Sequence, residues 1–504
     1  MLTRDSDPRL LSRVLPPAAF VLGVCCFAWT AFHVWSFALD DAWITLRYAR
    51  HLASGLGAVY NPGEADEGYS SPLLVLLLAV PHLLHVDAFL AAKWLGVIAT
   101  LAAAALMLTW PAEHPERPRM ASAVAAGLWL AVPRTALHAV SAMETGLASL
   151  LVVVLFRLSA ERERVAERAW PLGACAMLGG LTRPEFHLLA GVTFVALALR
   201  TDRAGRTALL VAGLSCWIMP TLLLESLRIG FYHQHLPLPF YVKSITAGQL
   251  PGLPHAVAWW SSVTRNLGLL IVPGLLPPPQ TLWVPWAATL VVMAALTPFQ
   301  PIMAPELRYL WPLAPVAALS AGHGFERLWG WCARGPGAAW TRFALAVLPL
   351  VLMVRLALIG SSLLAVDLEY ARAVNAAHLQ LGREMAAVAT RELRLATSDA
   401  GVVPYLTDAW TLDLAGLNSA RVARQGQRTP HDVFDGDHVN ALVLVSSEPE
   451  EFRAQPWSTY EAALAAEAQR RGWQRVALRR FNAGYWLWVL VPPGSKLTAL
   501  RPGP

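Results

Sequence analysis

Two aspartates, Asp40 and Asp41, stand side by side where the first apolar run of the chain stops. Adjacent carboxylates repel one another, which raises the basicity of one of them enough to take a proton from a hydroxyl; together they can also hold a divalent cation. They serve equally well as the acidic first turn of a helix, and Trp43, Leu46, Ala49, Leu52 and Ala53 follow near helical spacing. The stretch reads as a helix in the membrane interface with its carboxylates at the amino-terminal end. Further charges stand at the ends of other apolar runs: Glu144, Arg183 beside Glu185, Lys243 and Arg308. Arginine grips an oxyanion through a bidentate fork and lysine as a compact charge, so these three cations can hold an anionic group. Glu144 and Glu185 either orient them or form structural ion pairs with them. His233 and His235 flank Gln234 and can ligate a metal if the segment is extended, or stand as solvated loop residues.

The elements that must carry these residues are membrane helices. Of 504 residues, 56% are hydrophobic and 15% charged, and the apolar residues come in long blocks, which is the composition of a membrane protein. A span needs about 20 apolar residues, and the runs at 14–39, 88–110, 207–227 and 343–366 meet that length. A net charge of +6 would suit a nucleic-acid partner, but the arginines sit in short loops between apolar runs, where they set topology, so no nucleic acid is expected. Cys25, Cys26, Cys175, Cys216 and Cys332 have no metal or redox spacing and read as packing residues. The arginine-flanked first run is too long for a signal core and lacks a small-residue cleavage site, so it reads as a retained helix.

Positive charge marks cytoplasmic loops. On that rule the amino terminus, 111–119, 157–168, 200–206 and 326–342 lie inside, while 40–71, 133–143, 182–185, 228–255 and 298–308 lie outside. This gives about eleven spans and an external carboxy terminus. The apolar segment 72–84 is too short to cross and reads as re-entrant or interfacial, and the runs at 170–181 and 267–276 are also short. Asp40, Asp41, Glu144, Arg183, Glu185, His233, His235, Lys243 and Arg308 all fall on the outer side. Ionisable groups gathered at one membrane face imply a polar site there. The tryptophans Trp259, Trp260, Trp283 and Trp286 read as interface anchors.

Beyond 366 the long apolar runs end. The expected organisation is a polytopic membrane domain over 1–366, with its first external loop at 40–71, and a soluble α/β domain over 367–504. In the latter, 368–395 reads as a charged helix, 441–446 and 485–491 as buried strands, and 460–471 as a helix between them, an α/β sandwich. Asp399 and Asp413 sit in loops rich in turn residues and read first as structural.

The stretch from Asp40 through Arg47, Tyr48, Arg50 and His51, continued by Tyr60-Asn61-Pro62-Gly63 and Asp66-Glu67-Gly68-Tyr69-Ser70-Ser71-Pro72, resembles the first extracytoplasmic loop of the integral-membrane GT-C glycosyltransferases. Within that superfamily it is most similar to the bacterial branch of terminal β-arabinofuranosyltransferases and mannosyltransferase-like proteins. Met143-Glu144-Thr145, Arg183-Pro184-Glu185, Phe240-Tyr241-Val242-Lys243, Arg308-Tyr309-Leu310-Trp311-Pro312, Asp399-Ala400-Gly401 and Asp413 to Asn418 extend the resemblance over nearly the whole chain. The chain departs from the pattern at Leu238-Pro239, where relatives usually carry Asn-Thr, and at Phe186, where a small residue is common.

The resemblance implies a GT-C fold with the catalytic base in the acidic pair, Asp40 being the candidate. It also marks Arg47, Tyr48, Glu67, Tyr69, Tyr241 and Tyr309 as candidate orienting or substrate residues beside Glu144 and Glu185. Transfer of one sugar from a polyprenyl-phosphate carrier to a cell-envelope glycan or lipid acceptor, at the outer face of a bacterial inner membrane, then needs three things. These are a base for the acceptor hydroxyl, cations for the departing phosphate (Arg183, Lys243, Arg308) and a groove for the prenyl chain. A single displacement inverts the anomeric centre. The branch points to a pentofuranose or mannose. A divalent cation, Mg or Mn, held by Asp41 or His233 is an open expectation. A lipid-linked oligosaccharide ligase shares carrier and compartment, whereas a transporter would show repeated halves with polar groups near mid-membrane.

Overall fold

The computed structural model describes residues 8–111, 119–243, 257–258, 260–261, 278–297, 308–332 and 338–502. The apolar run at 267–276, Trp259 and the segment 298–307 lie outside the described residues, as does the side chain of Lys243. The chain divides into two compact units, one of Met1–Trp35, Lys93–Glu225 and Ile245–Ala365, the other of Ser36–Ala92, Ser226–Ser244 and Val366–Pro504. A linear division at 366 misses this, because 36–92 and 226–244 pack with the carboxy-terminal stretch.

The first unit is helical. By length and composition, among the described residues of the whole chain, Leu11–His33, Ala88–Met107, Arg203–Tyr232 and Trp340–Val388 can cross a membrane, and Met120–Ala131 with Pro133–Ala139, bent by 69°, makes a fifth if counted as one broken span. Thr145–Ser159, Phe186–Ala198 and Gln280–Leu296 are apolar but shorter. Helices in lipid gain no hydrophobic drive from meeting each other, so they associate through close backbone packing at small residues. Gly23 and Gly127 illustrate it: a Cβ on Gly23 would stand 2.4 Å from the Gly127 Cα. Gly322 meets the Ala121 carbonyl in the same way, at 2.1 Å. Lys93, 2% exposed within an otherwise apolar helix, donates at 2.8 Å to the carbonyls of both Trp35 and Val140. It thereby satisfies backbone acceptors where two helices stop.

The second unit is built on a five-stranded mixed sheet. The strands are β1 (Arg394–Thr397), β2 (Trp410–Asp413), β3 (Ala441–Ser446), β4 (Gln474–Asn482) and β5 (Tyr485–Val491), in the order β2-β1-β3-β5-β4. β1 runs parallel to β2 and β3, and β5 antiparallel to β3 and β4. Both faces are covered, one by a core around Leu395, Val443 and Val489, the other by a core around Leu412, Leu444 and Leu464. The strands at 441–446 and 485–491 and the helix Tyr460–Arg470 lie where the sequence places them. The expected helix over 368–395 ends at Val388, because Leu393 and Leu395 alternate into the sheet core and the chain there extends as β1.

The acidic stretch forms the helix Asp40–Ala53, and Pro72–Leu83 packs beside it as a short apolar helix. In place of a half-exposed interfacial helix, Asp40–Ala53 is buried on nearly every side: besides Asp40, the run from Ala42 through Ala49 and His51 are all buried.

Candidate active site

In the second unit the start of the acidic helix meets the turn after β1. Asp40 is 6% exposed, and its carboxylate oxygens accept from the Gly401 N–H at 3.0 Å and the Val402 N–H at 2.8 Å. Burial pushes the Asp40 carboxyl up to about 6; His378 pulls against that, while the negative charges of Asp399 and Asp41 add to it. Two lone pairs remain on oxygens already fixed in orientation by the backbone. Asp41, one residue on, is half-buried. Asp399 accepts from the Tyr485 hydroxyl at 2.9 and 2.8 Å and bonds His378 Nε2 at 2.7 Å.

The rest of the first loop fastens this helix in place. Arg47 is wholly buried and donates to the carbonyls of Tyr60 at 2.8 Å, Pro404 at 2.5 Å and Ala409 at 2.6 Å. Tyr48 donates to the Asp66 carbonyl and accepts from the Gly68 N–H. Tyr60 donates to the Ala400 carbonyl at 2.6 Å, and Asn61 bridges to Thr411 at 2.9 and 3.0 Å. Glu67 is paired with Arg228 at 2.6 Å, and Tyr69 with the Tyr232 hydroxyl at 3.0 Å. Tyr241 is exposed beneath Arg424. Of the residues expected to orient substrate, Arg47, Tyr48 and Glu67 thus direct their polar atoms into the fold. Asp413 is similarly taken up by its own turn, accepting from the N–H groups of Ala415, Gly416 and Asn418.

In the first unit three helix ends bring charges together. Glu144 precedes Thr145–Ser159, Arg183 follows Val165–Thr182, and Glu185 precedes Phe186–Ala198. Arg183, buried, donates to Glu144 at 2.8 Å and to Glu185 at 2.5 Å. The Tyr309 ring lies 4.9 Å from the Arg183 guanidinium and 5.1 Å from that of Arg308. A cavity beside this cluster is walled by Val152, Phe186, Leu189 and Val292 as well as by Arg183 and Tyr309. It joins charged heads to an apolar wall. Nearby, His138 and Trp311 lie 5.6 Å apart, and neither His138 ring nitrogen nor the Trp311 indole N–H has a hydrogen-bond partner among the described residues. Buried polar atoms left this way call for a partner, which a water or an ion supplies as readily as a ligand.

His233 and His235 are exposed while Gln234 between them is buried, and Lys243 ends the helix Leu238–Lys243. Among the described residues no group of three or more His, Cys, Asp or Glu is placed to hold a metal ion. Two residues escape the sequence reading. Lys93 had a usable signal, a lone lysine inside an apolar run. His378 had none, since a histidine in a charged helix is ordinary.

Residues 368–490 match a family described as "Domain of unknown function (DUF8728)". In sequence the chain is similar to the terminal beta-(1->2)-arabinofuranosyltransferase of Mycobacterium tuberculosis, 28% identical over 325 residues. The match takes in 59% of this chain and 48% of the relative, so the chain spans about half the length of that curated protein. In structure it is similar to ArnT from Cupriavidus metallidurans in the apo state, with a TM-score of 0.61 at 15% identity. It is also similar to ArnT bound to undecaprenyl phosphate, with 0.59 at 14%. Each superposition covers 95% of this chain and 99% of the other. The GT-C fold expected from the first loop is therefore present, in a multi-pass membrane protein.

Proposed function

Taking as premise a chain with the GT-C fold and an arabinofuranosyltransferase-like sequence, we propose that it is an inverting glycosyltransferase that moves a single sugar from a polyprenyl-phosphate carrier to a cell-envelope glycan or lipid. The observation that carries this reading is Asp40: a buried, oriented carboxylate raised to about 6, the value a general base working near neutrality needs. In the step, Asp40 takes the proton of the acceptor hydroxyl as that oxygen bonds to the anomeric carbon. The bond from that carbon to the phosphate oxygen breaks, and its electron pair leaves with the polyprenyl phosphate. Asp41, less buried, orients the acceptor.

Arg183 and Arg308 neutralise the departing phosphate. Lys243 is a third candidate cation. Glu144 and Glu185 keep the Arg183 fork in one orientation. The relative's printed activity favours a pentofuranose as the sugar, and the outer face of a bacterial inner membrane as the place of reaction follows from the positive-inside pattern.

Reconstituted in vesicles with a polyprenyl-phosphate sugar, the protein releases polyprenyl phosphate in step with glycosylated acceptor. Release of a pyrophosphate carrier with transfer of a whole glycan makes it a ligase instead. Donor movement without bond cleavage makes it a transporter.

A further inference from the structure

Among the described residues, the groups that hold the Asp40 carboxylate come from the carboxy-terminal segment. Gly401 and Val402 grip its carboxylate, and the hydroxyl of Tyr370 lies 3.4 Å from its backbone nitrogen. The gripping turn is itself anchored two residues upstream, where Asp399 is bonded by His378 and by Tyr485. Both His378 and Asp399 are buried, so these bonds are sheltered from water.

Resting on the transfer reading above, we propose that His378 and Asp399 are positioning residues for the reaction: they pin the 399–402 turn that orients Asp40 and offset the negative charge gathered around it. The segment matched by the domain family of unknown function is then part of the catalytic machinery.

The titratable groups that act on Asp40 or are acted on by it are Asp41, Tyr60, Tyr370, His378, Asp399 and Tyr485. Among them only His378 brings positive charge. After burial, its charge is the largest influence on the Asp40 carboxyl, and it lowers it. Replacing His378 by Gln keeps an amide donor toward Asp399 and removes that charge, so Asp40 must hold its proton to higher pH.

The test uses the full-length protein in vesicles, with polyprenyl phosphate release measured against pH. In His378→Gln the acid limb of kcat/KM moves upward by roughly one pH unit, the smaller end of what one neighbouring charge does. Tyr485→Phe, which preserves the ring and removes the bond to Asp399, lowers kcat about tenfold with donor KM and thermal unfolding unchanged, as expected when a base is displaced and binding is not. An acid limb at the wild-type position in His378→Gln overturns the proposal, and so does a wild-type kcat in Tyr485→Phe. If His378→Gln fails to insert, Tyr485→Phe decides by itself. Wild-type protein that releases no polyprenyl phosphate at any pH defeats the transfer reading, and this inference falls with it.

Discussion

Gly401 lies so close to Asp40 that its lack of a side chain is part of the fit. A Cβ on Gly401 would stand 2.2 Å from the Asp40 carbonyl oxygen and 2.5 Å from its carboxyl carbon. Because those are backbone and short side-chain atoms, alanine there has to displace the aspartate or open the turn. Gly401→Ala is expected to lower kcat about 10²-fold, the scale of a misplacement near 1 Å, while donor KM holds. Turnover in vesicles measured beside thermal unfolding checks it; full activity in a stably folded Gly401→Ala variant would show that the contact does not orient the base.

On the proposed transfer reading, Asp40 as base and the more exposed Asp41 as acceptor ligand are separated by two amide variants. Asp40→Asn is expected to lose about 10²- to 10⁴-fold in kcat, the worth of a general base, and Asp41→Asn less, mainly through the KM of the acceptor. With the Asp40 carboxyl raised to about 6, the reaction needs it ionised, so wild-type kcat/KM falls as pH drops through that value. A rate level through that range, or Asp41→Asn the more severe variant, would move the base to another group.

How far the sequence reveals this arrangement depends on the physics behind each part. β3 and β5 are legible because both faces of the sheet are covered, which makes continuous apolar runs such as Ala441–Ser446. β1 and β2 are four residues each and carry Arg394 and Asp413, so nothing in composition separates them from loops. The acidic pair and the Arg183 cluster stand out because charges at the ends of apolar runs are expensive. The grip of Gly401 on Asp40 is not legible, since 361 residues separate them and the bond comes from backbone N–H groups that every residue carries.

Glu461 offers a stability test that does not involve transfer. It is buried, accepts from Ser398 and from the Val445 N–H, and burial pushes its carboxyl up to about 8. A carboxyl raised on folding contributes stability in full below its unfolded value, and loses that contribution as pH rises through the folded value. Thermal unfolding of the full chain should therefore weaken from mildly acidic to mildly alkaline pH, with the loss complete above about 8. Glu461→Gln, neutral throughout, should flatten this slope. A slope equal to that of the wild type would assign the pH dependence elsewhere.

Arg183 and Arg308 share the Tyr309 ring but differ in company, since Arg183 is held by two glutamates. Arg308→Gln is expected to raise the donor KM about tenfold or more, the equivalent of one charge-assisted phosphate contact, with acceptor KM unchanged. Arg183→Gln should do the same and also lower stability, because it leaves Glu144 buried without its cation. Lysine at 183 should restore little, as a compact charge cannot bond both glutamates in the guanidinium's geometry. Donor titrations of each variant read this out, and an unchanged donor KM in Arg308→Gln would remove it from the phosphate site.

Lys93 is a further buried cation whose position calls for a purpose. Its ammonium joins the Trp35 and Val140 carbonyls, and Val140 opens the turn that leads through Ala142, held at φ +60°, to Glu144. Removing the ammonium leaves the buried Val140 carbonyl short of a donor, at about 1–3 kcal/mol, and frees the part-buried Trp35 carbonyl. Lys93→Met should therefore lower the unfolding temperature in detergent and, by freeing the turn, loosen the hold of Glu144 on Arg183, so that donor KM rises as well. Lys93→Arg retains donors to both carbonyls and should recover most of the stability. A Lys93→Met protein as stable as the wild type, with an unaltered donor KM, would mean that the lysine serves neither the helix ends nor the arginine cluster.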